Sequence, residues 1–497
     1  MTPSLPQALY TAAQVRRLDD AAIKLGVSAS VLMERAGASA LAFMRTRWPH
    51  AQHVLVMTGE GNNAGDGFVL ARLACAANLR VTVMQVGDAT RLHGAALTAH
   101  QSMQKNNIDS IPFAQNVDLS AADVIVDALF GTGLAREVSG DWRAAIEAMN
   151  SCGKPVLALD IPSGLEADTG AVLGAAIKAT ATITFIGLKQ GMFTAAGPDC
   201  CGELCFADLE VPKDIYQNIE PAAKRIDLQQ LDYLLPPRLR NSHKGVNGHV
   251  LVIGGDHGMA GAVRLAGEAA ARVGAGLVTI ATRAAHVGVL VAARPELLCH
   301  AIDDAAALAP LVARADVIAV GPGLGTAAWG RDLWRRVLDQ SKPLVVDADA
   351  LNLLAAQAQP HHPWILTPHP GEAARLLGCT TQQVQQNRFA AIRTLQQRFN
   401  GIWVLKGKGT LIFDGEHMLV CSAGNPGMAS GGMGDVLTGV IAGLVAQGIA
   451  LTNAAQLGVC LHAEAGDLAA ADGERGMLAG DLMLPLRRLV NPRGVET

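Results

Sequence analysis

The chain has 497 residues, 50% of them apolar and 17% charged, with a formal net charge of −4. That length exceeds one hydrophobic core and calls for two domains or three. The composition excludes disorder, and the slight acidity provides no basic field to draw the chain to nucleic acid or anionic lipid.

The opening stretch MTPSLPQALYTAAQVRRLDD lacks the apolar core of a signal peptide, and Thr11 to Gln14 reads as a capping box that starts a helix. No uncharged apolar run approaches the length of a membrane span. Nine cysteines, most of them single within apolar stretches such as those around Cys75 and Cys460, suit buried thiols in a reducing compartment. Cys200, Cys201 and Cys205 cluster, but no matching ligand pair completes a zinc site. A cytoplasmic protein with no membrane partner is expected.

Beyond the first helices, HVLVMT (53–58), LRVTVMQV (79–86), ADVIVDALF (122–130), KPVLALD (154–160) and TITFIG (182–187) are unbroken apolar runs. Such runs mark strands buried on both faces, and the spacing between them leaves room for crossover helices and a parallel sheet. GEGNNAGDG (59–67) follows the first of these strands. It departs from the dinucleotide fingerprint, because Asn62, Asn63 and Ala64 separate its second and third glycines where that pattern has two residues. Amides and the acid Asp66 suit a ligand with hydroxyls or carboxamides as well as phosphate. Asp127 near a strand end, Gly131 and Gly133 in a turn, and Asp160 followed by Ser163 supply two further loops. One such carboxylate reads most simply as a loop cap. Three aligned loops describe a site.

Charge, amide and proline content rise after residue 210, which places a linker at 215–228 between domains 1–220 and 225–497. A second alternating series follows: HVLVIGG (249–255), GLVTIAT (276–282), ADVIAVG (315–321), KPLVVDAD (342–349), WILTP (364–368) and GIWVLKG (401–407). LIFDGEHMLVC (411–421) reads as a hairpin about Asp414 and Gly415. In GNPGMASGGMGD (424–435) the glycines free backbone N–H groups to converge before a helix whose apolar face runs from Val436 to Val445 and stops at Gly448. Asp435 then reads either as the helix N-cap or as a base beside bound phosphate, with a helix terminus that lowers its pKa and weakens it in that role. Lys406 and Lys408 in KGKGT suit phosphates, GPGLG (321–325) lies at a strand end, and His369 is held between prolines in TPHPGE. Asp347 and Asp349 fit either magnesium or strand-end capping.

The series from NSHKGVNGHVLVIGGDHGMAGA (241–262) through GPGLG, DADALN, TPHPGE, KGKGT and GNPGMASGGMGD resembles the ADP/ATP-dependent NAD(P)H-hydrate dehydratases, a ribokinase-like α/β family. The first half resembles the NAD(P)H-hydrate epimerases, whose Rossmann-like three-layer domain is fused to the dehydratase in bifunctional repair enzymes. The usual GNNGGDG loop has Ala64 in place of one glycine here. The resemblance implies that the first domain binds hydrated NAD(P)H through Asn62, Asn63, Ala64, Gly65 and Asp66, through Gly131, Thr132, Gly133, Leu134, Ala135, Arg136 and Glu137, and through Asp160, its catalytic carboxylate. Potassium would be held by Asn63, Asp127 and Ser163. In the second domain it implies substrate contacts at Ala262, Gly323 and His369, nucleotide contacts at Lys406, Gly407, Lys408, Gly409, Thr410 and Gly434, and Asp435 as the base. Magnesium would accompany ADP, favoured over ATP, and a homo-oligomer is expected. A ribokinase-like kinase of a vitamin precursor or sugar hydroxyl is the alternative enzyme, though it leaves the first domain idle. A nucleotide-binding sensor without turnover is the non-enzyme alternative.

Overall fold

The computed structural model describes residues 5–115, 117–356 and 363–491. The chain divides between Lys224 and Arg225 into two compact units.

The first unit is built on a seven-stranded sheet, wholly parallel. Its order is Ser110–Pro112, Arg80–Gln85, His53–Thr58, Val124–Ala128, Val156–Leu159, Ala181–Phe185, Glu203–Ala207. His53–Thr58, Val124–Ala128, Val156–Leu159 and Ala181–Phe185 are buried at every position, because helices cover both faces. The chain reverses its winding between His53–Thr58 and Val124–Ala128, which opens a crevice at their carboxyl ends. Thr11 caps helix Ala12–Lys24 through the capping box read from the sequence.

The second unit has its own sheet in the order Leu298–Ala301, Leu277–Thr282, His249–Ile253, Val317–Val320, Leu344–Val346, Trp364–Leu366, Ile402–Leu405, Thr410–Phe413, Met418–Cys421. The first seven are parallel, and the last two form the expected antiparallel hairpin. Here the winding reverses between His249–Ile253 and Val317–Val320. The helix after the glycine run spans Met433–Ala446 and is buried nearly all round, as a helix apolar on every side must be. It packs on helix Ala260–Arg272 and on the sheet, with Gly439 and Gly443 against the backbone of Ala266 and Ala270.

Short strands at Ala8–Tyr10, Leu188–Lys189, Ala223–Ile226 and Leu298–Ala301 carry too few apolar residues to stand out in the sequence. Cys75 is exposed, not buried, because it lies on the outer face of helix Asn62–Ala76. All nine cysteines are free. Among the described residues no helix is long and apolar enough to cross a membrane.

Candidate functional sites

In the first unit, helix Asn62–Ala76 begins directly behind strand His53–Thr58, with Gly61 as its N-cap. Asn62 to Asp66 therefore form the opening turns of a helix, not a loop. Asn63 is buried and donates from Nδ2 to the Phe130 carbonyl at 3.0 Å. Its Oδ1 is buried and meets no hydrogen-bond partner among the described residues. Asp127, fully buried, accepts from Ser163 Oγ at 2.6 Å, from Ser163 N at 2.8 Å and from Leu129 N at 3.2 Å. Burial pushes the Asp127 carboxyl up to about 6 against these bonds. Ser163 Oγ also reaches the Phe130 carbonyl at 3.2 Å, so Asn63 and Ser163 share that carbonyl and Asp127 is tied to it through Ser163.

Gly131 closes this cluster. A Cβ there would lie 3.5 Å from Asn63 Cβ and 3.6 Å from Asp160 Oδ2. Thr132 and Leu134 are half-buried, while Gly133, Ala135, Arg136 and Glu137 are exposed on the rim. Asp160 adopts a left-handed backbone (φ 66°), uncommon outside glycine, asparagine and aspartate. Its carboxylate is ion-paired with Lys189. Asp66 is driven well above the ordinary carboxylate range by burial, then by the charges of Asp160 and Asp19, with Lys189 opposing. Asp19 is pushed up to about 7, again by burial first and Asp160 next. Sequence reasoning missed Asp19 and Lys189. Lys189 had left one signal, as the single charge in the apolar stretch 179–198.

In the second unit the site lies at the carboxyl edge of the sheet. Gly323, with φ 55°, abuts Met259 and Ala262, and a Cβ on it would sit 3.3 Å from Ala262 Cβ. Gly321 has no room for a side chain, since a Cβ would strike the Asp347 carbonyl. Helix Pro370–Leu377 is capped by His369, whose Nδ1 accepts from the backbone of Gly371 at 3.0 Å and Glu372 at 3.3 Å. That bonding leaves the proton on Nε2, which points at Glu372 Oε1 3.4 Å away. Burial, and then the nearby Lys406 charge, lowers the His369 pKa.

Lys406 N donates to the Pro368 carbonyl, tying KGKGT to TPHPGE. Its ammonium lies 2.6 Å from Asp347 Oδ1 and 3.9 Å from Glu372 Oε2. Lys408 is exposed and donates to the Gly424 carbonyl at 2.8 Å. The two lysines thus differ in place: Lys406 faces carboxylates and Lys408 faces the rim. Arg388, fully buried, holds the turn from behind with bonds to the carbonyls of Leu405, Lys406 and Gly409. Thr410 Oγ1 closes it on the Gly407 carbonyl.

Asp435 is the third residue of its helix, and Gly432 (φ 91°) is the N-cap, so the capping explanation for Asp435 fails. Its carboxyl is pushed up to about 7 by burial, then by Asp347, with Lys406 opposing and Asp349 and Glu372 adding. The weakening expected from the helix terminus is overridden, first by burial and then by Asp347. Gly434 adjoins the same group, for a Cβ on it would lie 3.1 Å from Lys406 Nζ and 3.6 Å from Asp347 Oδ2. Asp347 itself accepts from Thr438 Oγ1 at 2.8 Å, and Asp349 accepts from Gly325 N at 2.8 Å and Asn352 Nδ2 at 3.3 Å. Both acids are therefore held in place by hydrogen bonds within the site. Sequence reasoning had left Glu372, Thr438 and Arg388 without a role.

Comparison with known proteins finds relatives for both halves of the chain. The family model described as NAD(P)H-hydrate dehydratase matches residues 250–487, and the one described as YjeF-related protein N-terminus matches residues 29–191. A protein of Coxiella burnetii named bifunctional NAD(P)H-hydrate repair enzyme Nnr is 50% identical over 97% of this chain and 99% of its own. An Escherichia coli protein of the same name is 44% identical over 98% and 95%. Among solved structures, a ribokinase-like superfamily protein from Enterococcus faecalis is 31% identical, covers 54% of this chain and 94% of its own, and superposes with a TM-score of 0.50.

Proposed function

The chain belongs to the bifunctional NAD(P)H-hydrate repair enzymes, and from that premise we propose which of its residues carry each half of the repair. The enzyme interconverts the R and S forms of hydrated NADH and NADPH in its first unit and dehydrates the S form in its second.

The hydroxyl on C6 of the hydrate is a poor leaving group. We assign its activation to transfer of the terminal phosphoryl group of ADP, or of ATP, onto that oxygen. Asp435 takes the hydroxyl proton as the oxygen attacks phosphorus, and AMP departs from ADP. The ring nitrogen then expels phosphate from C6, and loss of a C5 proton restores the double bond. The observation that carries this reading is the position of Asp435: in the first turn of a helix that no side chain caps, close to Gly434 and Lys406, with a pKa raised to about 7. An aspartate at about 7 is a far stronger base than an ordinary one, which suits proton abstraction near neutral pH. The N–H groups of the glycine run and the Lys406–Thr410 turn cradle the phosphates. We assign Ala262, Gly323 and His369 to the nicotinamide ring. Magnesium would arrive on the nucleotide's own oxygens.

In the first unit, the substrate lies against Asn62 to Asp66 and the rim Gly131 to Glu137, with Asp160 as the catalytic carboxylate at C6. The buried and unpartnered Asn63 Oδ1, beside Asp127 and Ser163, is an all-oxygen donor set of the kind a hard monovalent cation takes, and we assign potassium to it. When bound, the ion would supply fixed positive charge behind the substrate's phosphates. Reduced nicotinamide cofactors and nine free thiols support a cytoplasmic setting.

The test is incubation with mixed epimers, magnesium and either nucleotide, following the absorbance of regenerated NADH. Asp435→Asn stops regeneration and leaves epimer exchange intact. Asp160→Asn leaves fast consumption of one epimer only. If neither variant separates the activities, this division of labour is wrong.

A further inference from the structure

Lys189 is 0% exposed, and burial of an ammonium is strongly unfavourable unless it is paired and fully hydrogen-bonded. It sits on strand Leu188–Lys189, which pairs in parallel with Ala8–Tyr10 just before the helix that carries Asp19. Its three donors have three acceptors: the Asp160 carboxylate, Thr184 Oγ1 at 2.8 Å and the Phe185 carbonyl at 3.4 Å. No donor remains for a ligand. Asp160 also receives the Phe185 amide at 3.4 Å, and its Oδ2 faces the Gly131 turn. The lysine thus works through Asp160.

We propose that Lys189 is a positioning residue of the epimerase, holding the Asp160 carboxylate aimed at the Gly131 turn while the exchanged proton is carried by Asp66, three residues beyond Asn63 on helix Asn62–Ala76. This rests on the epimerase reading of the first unit. Asp66 gives its proton to the C6 hydroxyl as the C6–O bond breaks and water leaves, and the nitrogen lone pair forms the N1–C6 double bond. The Asp160 charge faces the resulting cation. Water then adds to the opposite face of C6 and returns a proton to the Asp66 carboxylate, so the acid is restored. The groups facing this centre are Asp19 from helix Ala12–Lys24, Asp66, Asp160 and Lys189, with Arg16, Asp20 and Tyr216 acting on or near Asp19. Burial, Asp160 and Asp19 favour the protonated form of Asp66, against Lys189.

The experiment follows epimer exchange chromatographically in the full chain without nucleotide, so that dehydration is silent, and compares Lys189→Met and Lys189→Arg with wild type. Lys189→Met should lower kcat about 100-fold with KM within about threefold, as removal of acid–base organisation does. Because Lys189 opposes protonation of Asp66, its loss should also move the basic limb of the pH profile to higher pH. Lys189→Arg should recover part of the rate, and dehydration of the S form should be unchanged in both. Exchange by Lys189→Met within about threefold of wild type overturns the proposal. So does a loss with an unmoved pH profile and no recovery by arginine, which would make Lys189 a folding residue only. Absence of exchange by the wild-type chain would instead remove the epimerase reading and leave the lysine's contacts without that role.

Discussion

Lys406 and Asp347 form a 2.6 Å ion pair whose acid is almost wholly buried and whose cation is turned away from solvent toward Glu372 and Asp435. One ammonium therefore moderates three carboxylates. Lys406→Met leaves Asp347 buried with Thr438 as its side-chain partner among the described residues, and breaking such a pair costs about 3 kcal/mol or more. Chemical unfolding should show that loss, together with abolished dehydration. Lys408→Met, at the rim, should raise the KM for nucleotide while leaving stability within about 0.5 kcal/mol of wild type.

The raised pKa values of Asp435 and Glu372, both about 7, set the sign of a pH effect on stability. Unfolded, both acids titrate near 4, so between about pH 4 and 7 the folded protein binds more protons than the unfolded chain. Stability falls as pH rises through that window. Thermal unfolding from pH 5 to 8 should record a declining Tm, with a flatter decline in Asp435→Asn. An equal slope in the variant would contradict the burial of this acid. Dehydration itself should rise with pH through about 7 as Asp435 ionises.

Asn63 tests the cation assignment. Asn63→Leu removes the orphaned oxygen and fills its space, so any stimulation of epimer exchange by potassium over lithium should vanish while dehydration persists. Retained stimulation would remove Asn63 from the ion site.

Arg388 predicts a purely positional effect. Its Nη2 bonds the carbonyls of Leu405 at 3.1 Å, Lys406 at 3.2 Å and Gly409 at 3.4 Å, and it cannot touch a ligand from its buried place. Arg388→Leu should raise the KM for ADP about tenfold through a loosened turn, since small misplacements are costly in rate and binding. An unchanged KM would show that the turn holds its shape alone.

Most of the scaffold was legible because parallel strands buried on both faces leave long apolar runs, as with HVLVMT and HVLVIGG. Asp435, Asp160, Asn63 and Lys406 were legible as members of glycine-rich stretches at strand ends. Lys189, Asp19, Glu372, Thr438 and Arg388 were not, since each acts by meeting a residue distant in sequence, and only the fold creates that meeting. The nature of Asp435 was misjudged for the same reason. A helix terminus is visible locally, but the burial of the acid is not, and that burial, followed by the charge of Asp347, raises its pKa against the pull of Lys406.

The left-handed turn at Asp160 has a practical corollary for anyone dissecting the enzyme by mutation. Alanine at that position would lose the charge and also incur about 1 kcal/mol of steric penalty in the main chain, so its phenotype would blend two causes. Asparagine tolerates the same torsion, so it spares the main chain and leaves only the loss of charge, felt by the substrate and by the buried Lys189 alike. Scanning with alanine would therefore overstate what this residue contributes to turnover by the share that belongs to the backbone.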